Sequence, residues 1–174
     1  GPVYNAGERV EGYSNFLWVA LLALAGWLGM SIPEAARWGG LLFGLLCLNE
    51  SRLLARSLLA RAPAIRAWSW APPLALAAWP YFAAWPLSGM ETTAFAFFLS
   101  RGLRLYLELW QAPGVKGVPL FGQAPAMLAL ACLTRPEGLY FALGASAVVH
   151  FRRLAVFRSL RSLVDRREVW TLWV

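Results

Sequence analysis

Residues 67–90, AWSWAPPLALAAWPYFAAWPLSGM, form a stretch of 24 residues without a charged side chain, bounded by Arg66 and Glu91. A helix that crosses a bilayer needs about 17–25 mainly apolar residues, so this stretch is long enough to be one. The other uncharged stretches are residues 12–33, 38–49, 92–100, 117–134 and 138–149. This recurring pattern predicts an all-α protein, a polytopic bundle of transmembrane helices.

Composition supports this prediction. Of the 174 residues, 59% are apolar and 14% are charged, whereas a soluble domain usually carries about 25% charged residues. These values argue against an ordinary cytosolic enzyme and against a disordered chain. The net charge of +7 suggests nucleic-acid binding only if the basic residues form a hydrophilic face. Here they cluster between uncharged stretches instead, as in membrane proteins, so we expect no nucleic-acid partner.

The basic residues predict a topology. Thirteen of the 16 lie in three blocks, which are Arg52, Arg56, Arg61 and Arg66; Arg101, Arg104 and Lys116; and Arg152, Arg153, Arg158, Arg161, Arg166 and Arg167. Basic residues concentrate on the cytoplasmic side of membranes, so all three blocks are expected to face the cytoplasm. A full span at 14–30 would break this arrangement, so 14–30 is expected to lie along the membrane interface, with a segment that dips in and returns as the alternative. The predicted spans are about 34–52 inward, 67–87 outward, 91–109 inward, 122–134 outward and 139–151 inward.

The remaining parts of the chain follow from this arrangement. Residues 1–13 become an outer-loop segment, and residues 152–174 become a basic amphipathic tail on the anionic inner leaflet. A solvated run of charges is the alternative for the tail. The 91–109 span is the weakest, because Arg101 interrupts it after about 15 Å of helical rise. We expect a multi-pass protein of the inner (plasma) membrane with the bilayer as its partner.

The two cysteines and the single histidine indicate neither a metal site nor a disulfide framework. Cys47 and Cys132 both lie in apolar stretches, where small core or lipid-facing residues are expected. The single histidine, His150, ends an apolar stretch and is expected at the membrane interface.

Three polar clusters interrupt the apolar pattern, and the charge-derived topology brings them all to the outer face. They are residues 5–18 (NAGERVEGYSNFLW), 88–92 (SGMET) and 133–138 (LTRPEG). Polar groups near membrane depth are costly and often functional. Carboxylates and guanidinium groups in one outer pocket suit an acceptor hydroxyl, a phosphate leaving group and a divalent cation.

Each cluster also has a structural interpretation. Glu91 can serve only as a favourable charge at a helix N-terminus. Arg135 and Glu137 can pair with each other across a turn, Ser14 or Asn15 can cap the following helix, and Arg9 can be solvated.

Taken in order, the three strings resemble the GT-C superfamily of bacterial membrane glycosyltransferases, relatives of the aminoarabinose, arabinofuranosyl and protein O-mannosyl transferases. The resemblance covers roughly residues 1–151. It implies transfer of a sugar from a polyprenyl-phosphate donor to a glycan, lipid or protein acceptor of the cell envelope, on the extracytoplasmic side. It implies a catalytic role for Glu91, binding of the donor phosphate by Arg135 and Arg9, and an acceptor or metal neighbourhood at Glu11 and Glu137. A divalent cation is the candidate cofactor.

The sequence departs from the family pattern in one respect. No Asp precedes residue 165, so the family's catalytic Asp loop and the span before it are missing. We therefore expect a fragment of a longer enzyme, inactive alone. The alternative is a non-catalytic integral membrane protein, either a piece of a transporter or an assembly scaffold.

Overall fold

The computed structural model describes residues 15–59, 62–111, 118–148 and 151, and the side chains of 109–111 and 118–121 are left aside. Within these ranges the chain is all-α, with no strand. The helices are α1 (Phe16–Trp27), α2 (Ile32–Leu58), a 3-10 helix (Pro63–Trp70), α3 (Ala71–Ala78), α4 (Pro80–Ala84), a 3-10 turn (Trp85–Leu87), α5 (Thr92–Gln111) and α6 (Val118–Thr134). Residues 138–142 are helical again.

The chain divides into two units, Gly1–Ala142 and Leu143–Val174. All the contacts given below belong to the first unit. In the second unit, residues 143–148 and 151 are helical. His150 and the predicted tail at 152–174 lie outside the described residues.

Local signals explain where the longest helix starts. Ser31 precedes α2 in an extended conformation, a proline occupies its first turn, and Glu34 adds a negative charge there. Proline fits the first turn because no intrahelical partner exists for its missing N–H. An acidic side chain at this end interacts favourably with the helix dipole. The predicted span at 34–52 is thus the middle of a longer helix.

The stretch 67–87 is not the single helix that its uncharged length predicts. It contains a 3-10 helix, the two short helices α3 and α4, and a 3-10 turn. Prolines at 72, 73, 80 and 86 cause this division, since each removes a backbone donor and disfavours a helical conformation in the residue before it. Among the described residues, no helix combines the length and apolar character needed to cross a membrane.

Helices α2 and α5 pack in parallel. The Thr93 hydroxyl donates to the Gly40 carbonyl at 3.1 Å near their N-terminal ends, and the Ser57 hydroxyl donates to Glu108 at 3.1 Å near their C-terminal ends. Residues 63–87, the return segment, run antiparallel to α2, with Pro86 at Gly40 and Trp70 at Arg52. The close approach at Gly40 requires glycine, since a Cβ there would lie 2.2 Å from the Pro86 carbonyl oxygen.

Helix α6 runs antiparallel to α5, because Leu128 packs on Gly102 while Arg135 meets Glu91. The directions of α2, the return segment, α5 and α6 therefore alternate. Helix α1 lies against this set through Trp18, which is 4% exposed and stacks edge-on with Phe43. The buried cluster contains Trp18, Ala36, Ala94, Phe98 and Ala131. These helices have two ends, which we name after their buried carboxylates. The Glu91 end lies at the N-terminal ends of α2 and α5, and the Glu50 end lies towards their C-terminal ends.

Helices form in the predicted 14–30 and 91–109 stretches. Helix α1 ends at Trp27, close to Gly26 and Gly29. Helix α5 continues through Arg101, the residue that is expected to weaken this stretch as a membrane span. An ion pair with Glu50 at 2.8 Å compensates the charge of Arg101.

Candidate functional site

Glu91 is the centre of the candidate site. It directly precedes α5 and is 8% exposed. Its Oε1 accepts a hydrogen bond from Arg135 Nε at 3.0 Å, and its Oε2 accepts one from Asn15 Nδ2 at 3.1 Å. Three segments that lie far apart in sequence thus converge on one carboxylate. They are the same three segments that the sequence analysis singled out.

A turn before α5 positions this carboxylate. Gly89 adopts φ +75°, a left-handed conformation that glycine accommodates without strain. Its carbonyl accepts a hydrogen bond from Trp18 Nε1 at 3.1 Å, which ties the turn to α1. The Glu91 carbonyl then accepts from the Phe95 amide at 2.9 Å and starts α5. The buried indole therefore fixes the position of the backbone that carries Glu91.

Arg135 reaches Glu91 from the end of α6. Its amide donates to the Ala131 carbonyl at 2.9 Å, and Pro136 then ends the helix. The side chain is 34% exposed, and the guanidinium carbon lies 6.0 Å from the centre of the Phe95 ring. Within the described part of the chain, the Nη groups of Arg135 form no hydrogen bond. The guanidinium can therefore hold Glu91 and bind a second acceptor at once.

These contacts correct two structural interpretations of the sequence. Arg135 pairs with Glu91 rather than with Glu137, which is exposed in the turn after α6. The reason is that Glu91 is brought to the end of α6 by the antiparallel packing of α5 and α6. Asn15 precedes α1 but makes no side-chain capping bond, because its amide donates to Glu91 instead.

Two residues predicted to take part, Arg9 and Glu11, lie outside the described residues. Glu137, the other member of the predicted acceptor or metal neighbourhood, lies in the turn that follows Arg135. In the described ranges no group of three or more His, Cys, Asp or Glu side chains is arranged to hold a metal ion. Arg135 and Glu91 are thus the predicted site residues that the structure brings into contact.

A second charged cluster, which the sequence analysis missed, occupies the Glu50 end. Glu50 is 1% exposed. Its carboxylate accepts from Arg101 Nη1 at 2.8 Å and from Arg104 Nε at 2.7 Å. Arg104 Nη1 also donates to Glu108 at 2.6 Å. Both carboxylates and both guanidinium groups are hydrogen-bonded, so this cluster closes the packing of α2 against α5.

The sequence held a signal for this second cluster. Arg101, Arg104 and Glu108 recur at three- and four-residue spacing, which places them on one helical face. Glu50 is the carboxylate that ends the uncharged stretch 38–49 and faces them. Because the two arginines were assigned to a solvated basic block, their buried partner was not recognised.

Comparison of the chain with protein-family models, curated proteins and solved structures found no match. Function is therefore inferred from the residues of this chain.

Proposed function

We propose that the chain belongs to a membrane glycosyltransferase that transfers a sugar from a polyprenyl-phosphate donor to a cell-envelope acceptor on the extracytoplasmic side. The observation that carries the proposal is the contact of Glu91 with both Arg135 and Asn15. It joins the three strings on which the resemblance to GT-C enzymes rests. At the Glu50 end, by contrast, the buried Arg104 uses its Nε and both Nη groups to bind Glu50 and Glu108.

Arg135 and Glu91 have separate roles in the proposed transfer. The Nη groups of Arg135 bind the donor phosphate, which gains negative charge as the bond from the anomeric carbon to the phosphate oxygen breaks. An acceptor hydroxyl attacks that carbon from the opposite face and loses its proton to a carboxylate. Glu91 supplies the carboxylate that orients this hydroxyl, and Asn15 holds the Oε2 atom in place. The products are the glycosylated acceptor and polyprenyl phosphate.

Membrane location is part of the proposal. Large apolar side chains are extensively exposed, among them Trp27 (81%), Tyr140 (77%), Trp68 (70%) and Trp38 (66%). Exposed apolar area on this scale marks a surface that contacts lipid or another protein. In the proposed bilayer, the predicted multi-pass topology puts the Glu91 end outside and the Glu50 end at the cytoplasm.

Because the chain is expected to be inactive alone, a transfer assay in membranes with the longer protein that contains it tests the proposal. A panel of radiolabelled polyprenyl-phosphate sugars is supplied, and both donor binding and transfer are measured. We expect Arg135→Gln to weaken donor binding and Glu91→Gln to lower transfer by about 100-fold or more, the usual effect of losing one transition-state contact. Arg37→Gln, an exposed arginine of α2, is the matched control. The proposal fails if no donor binds, or if all three variants behave like the wild type.

A non-catalytic membrane scaffold remains the second candidate function. The observation that favours it is the Glu50 cluster, whose charges are consumed in holding α2 against α5. A scaffold role predicts that none of the donors is bound or transferred, while Glu50→Gln disrupts assembly. The same transfer assay therefore separates the two candidates.

A further inference from the structure

Arg52 has an unusual environment at the Glu50 end. Its guanidinium carbon lies 3.9 Å from the centre of the Trp70 ring, in a cation–π contact. Its Nε is buried and has no hydrogen-bond partner among the described residues. Trp70 itself is 52% exposed. A guanidinium that lies over an exposed ring can still donate its Nη groups to a ligand.

The positive charge of this surface is not compensated within the described parts of the chain. Glu50 and Glu108, the acidic side chains of this end, are engaged by Arg101 and Arg104. Arg52 takes part in none of the ion pairs formed there. Arg56, one helical turn further along α2, takes part in none of them either, and lies on the same face as Arg52. The surface therefore attracts an anion.

The neighbouring side chains indicate what carries that anion. Trp68 is 70% exposed, Leu74 is 64% exposed and Ile65 is 45% exposed. A soluble phosphate or a nucleic-acid backbone gains nothing from the aliphatic part of this surface, whereas acyl chains do. Tryptophan also prefers the boundary between headgroups and hydrocarbon.

We propose that Arg52, Arg56 and Trp70 form a binding surface for the phosphate headgroup of an anionic phospholipid, with the exposed apolar side chains that flank Trp70 in the sequence in contact with its acyl chains. This inference rests on the membrane location in the proposed function, but not on sugar transfer. The surface lies at the opposite end of α2 from the Glu91 site, so it is separate from the proposed donor phosphate site.

The test uses the full chain in a non-ionic detergent and measures binding of short-chain phosphatidylglycerol and of phosphatidylcholine with the same acyl chains. We expect phosphatidylglycerol to bind about fivefold more tightly or better, and Arg52→Gln to remove most of that preference. Arg52→Lys, which keeps the charge, should restore part of it. Arg37→Gln is the matched control, because it removes an exposed arginine from the other end of the same helix.

Three results would overturn the inference. They are equal affinity for the two headgroups, equal effects of Arg52→Gln and Arg37→Gln, and displacement of phosphatidylglycerol by inorganic phosphate or duplex DNA at equal concentration. Circular dichroism of each variant verifies that the helices remain. Glu91→Gln should leave phosphatidylglycerol binding unchanged, so failure of the transferase proposal and failure of this one give different results.

Discussion

At the scale of single residues, two buried carboxylates have different surroundings. Glu91 meets one half-exposed arginine and one amide, and the arginine keeps unused donors among the described residues. Glu50 is held by two arginines, one of them 10% exposed in its side chain, and Arg104 is further bound by Glu108. Arg104, by contrast, uses its Nε and both Nη groups for these two carboxylates. The proposed binding role therefore concerns Glu91 and Arg135, whereas Glu50 is expected to stabilise the packing of α2 against α5.

Replacing Glu50 with glutamine should be strongly destabilising. The change keeps the size of the side chain but leaves the buried guanidinium of Arg104 with Glu108 as its remaining charged partner. Removal of one member of a buried ion pair costs about 3–5 kcal/mol in the free energy of unfolding. Denaturant unfolding followed by circular dichroism measures this loss.

The control for this experiment is Glu137→Gln, which removes an exposed carboxylate from a turn. Its unfolding midpoint should stay close to that of the wild type. If Glu50→Gln were equally mild, the buried cluster would not be what holds α2 against α5.

At the scale of elements, the parallel packing of α2 and α5 depends on the return segment. Pro86 lies against Gly40 and Gly44, and Trp70 lies against Arg52, so the segment follows α2 back from its C-terminal end. A chain broken by prolines can follow a neighbouring surface more closely than a straight helix can. The small residues of α2 provide the room for that contact.

A methyl group at Gly40 should disrupt this contact. The Cβ of alanine would lie 2.2 Å from the Pro86 carbonyl oxygen, which belongs to the backbone and cannot rotate away. We expect Gly40→Ala to lower the free energy of unfolding by about 1–3 kcal/mol or more, the usual cost of overpacking. Thermal unfolding of the purified chain is the measurement.

Gly122→Ala in α6 is the matched control, since nothing lies within 4 Å of its Cβ position. There alanine should stabilise by about 0.5–1 kcal/mol, because glycine is a poor residue for a helix interior. The same substitution is thus expected to lower the free energy of unfolding at Gly40 and to raise it at Gly122. Equal effects would mean that the contact at Pro86 does not limit the packing.

The limits of sequence-based prediction are visible in particular elements. Uncharged length predicted spans at about 34–52, 91–109 and 122–134, and α2, α5 and α6 occupy these parts of the chain, with α5 beginning at Thr92. The same criterion failed for 67–87, because length carries no information about proline. Convergence of the three polar strings followed from the charge pattern. The charge pattern did not identify the partner of Arg135, since the choice between Glu137 and Glu91 depends on how α5 and α6 pack.

At the scale of the whole molecule, the described charges of the first unit differ between its two ends. The Glu91 end has Glu34, Glu91 and Glu137 with Arg37 and Arg135, whereas the Glu50 end has Glu50 and Glu108 with Arg52, Arg56, Arg66, Arg101 and Arg104. The Glu50 end is therefore the more basic one. Between the two ends the surface carries many exposed apolar side chains. In the proposed bilayer, this distribution places the basic end at the cytoplasm.

Cysteine labelling in intact cells tests that orientation. Single cysteines are placed at the exposed positions Ser31, Glu137 and Arg66, in a chain whose Cys47 and Cys132 are replaced by alanine. A membrane-impermeant maleimide should label positions 31 and 137 in intact spheroplasts, and position 66 only after lysis. Labelling of all three positions before lysis would contradict the proposed topology.

The Glu50 cluster has a consequence for the order of events during synthesis. Glu50 leaves the ribosome 51 residues before Arg101. At about 5–20 residues per second, the nascent carboxylate waits roughly 3–10 seconds for that arginine. During this interval α2 exists without the ion pairs that set its register against α5. The parallel pair is therefore completed only after the whole return segment has been made.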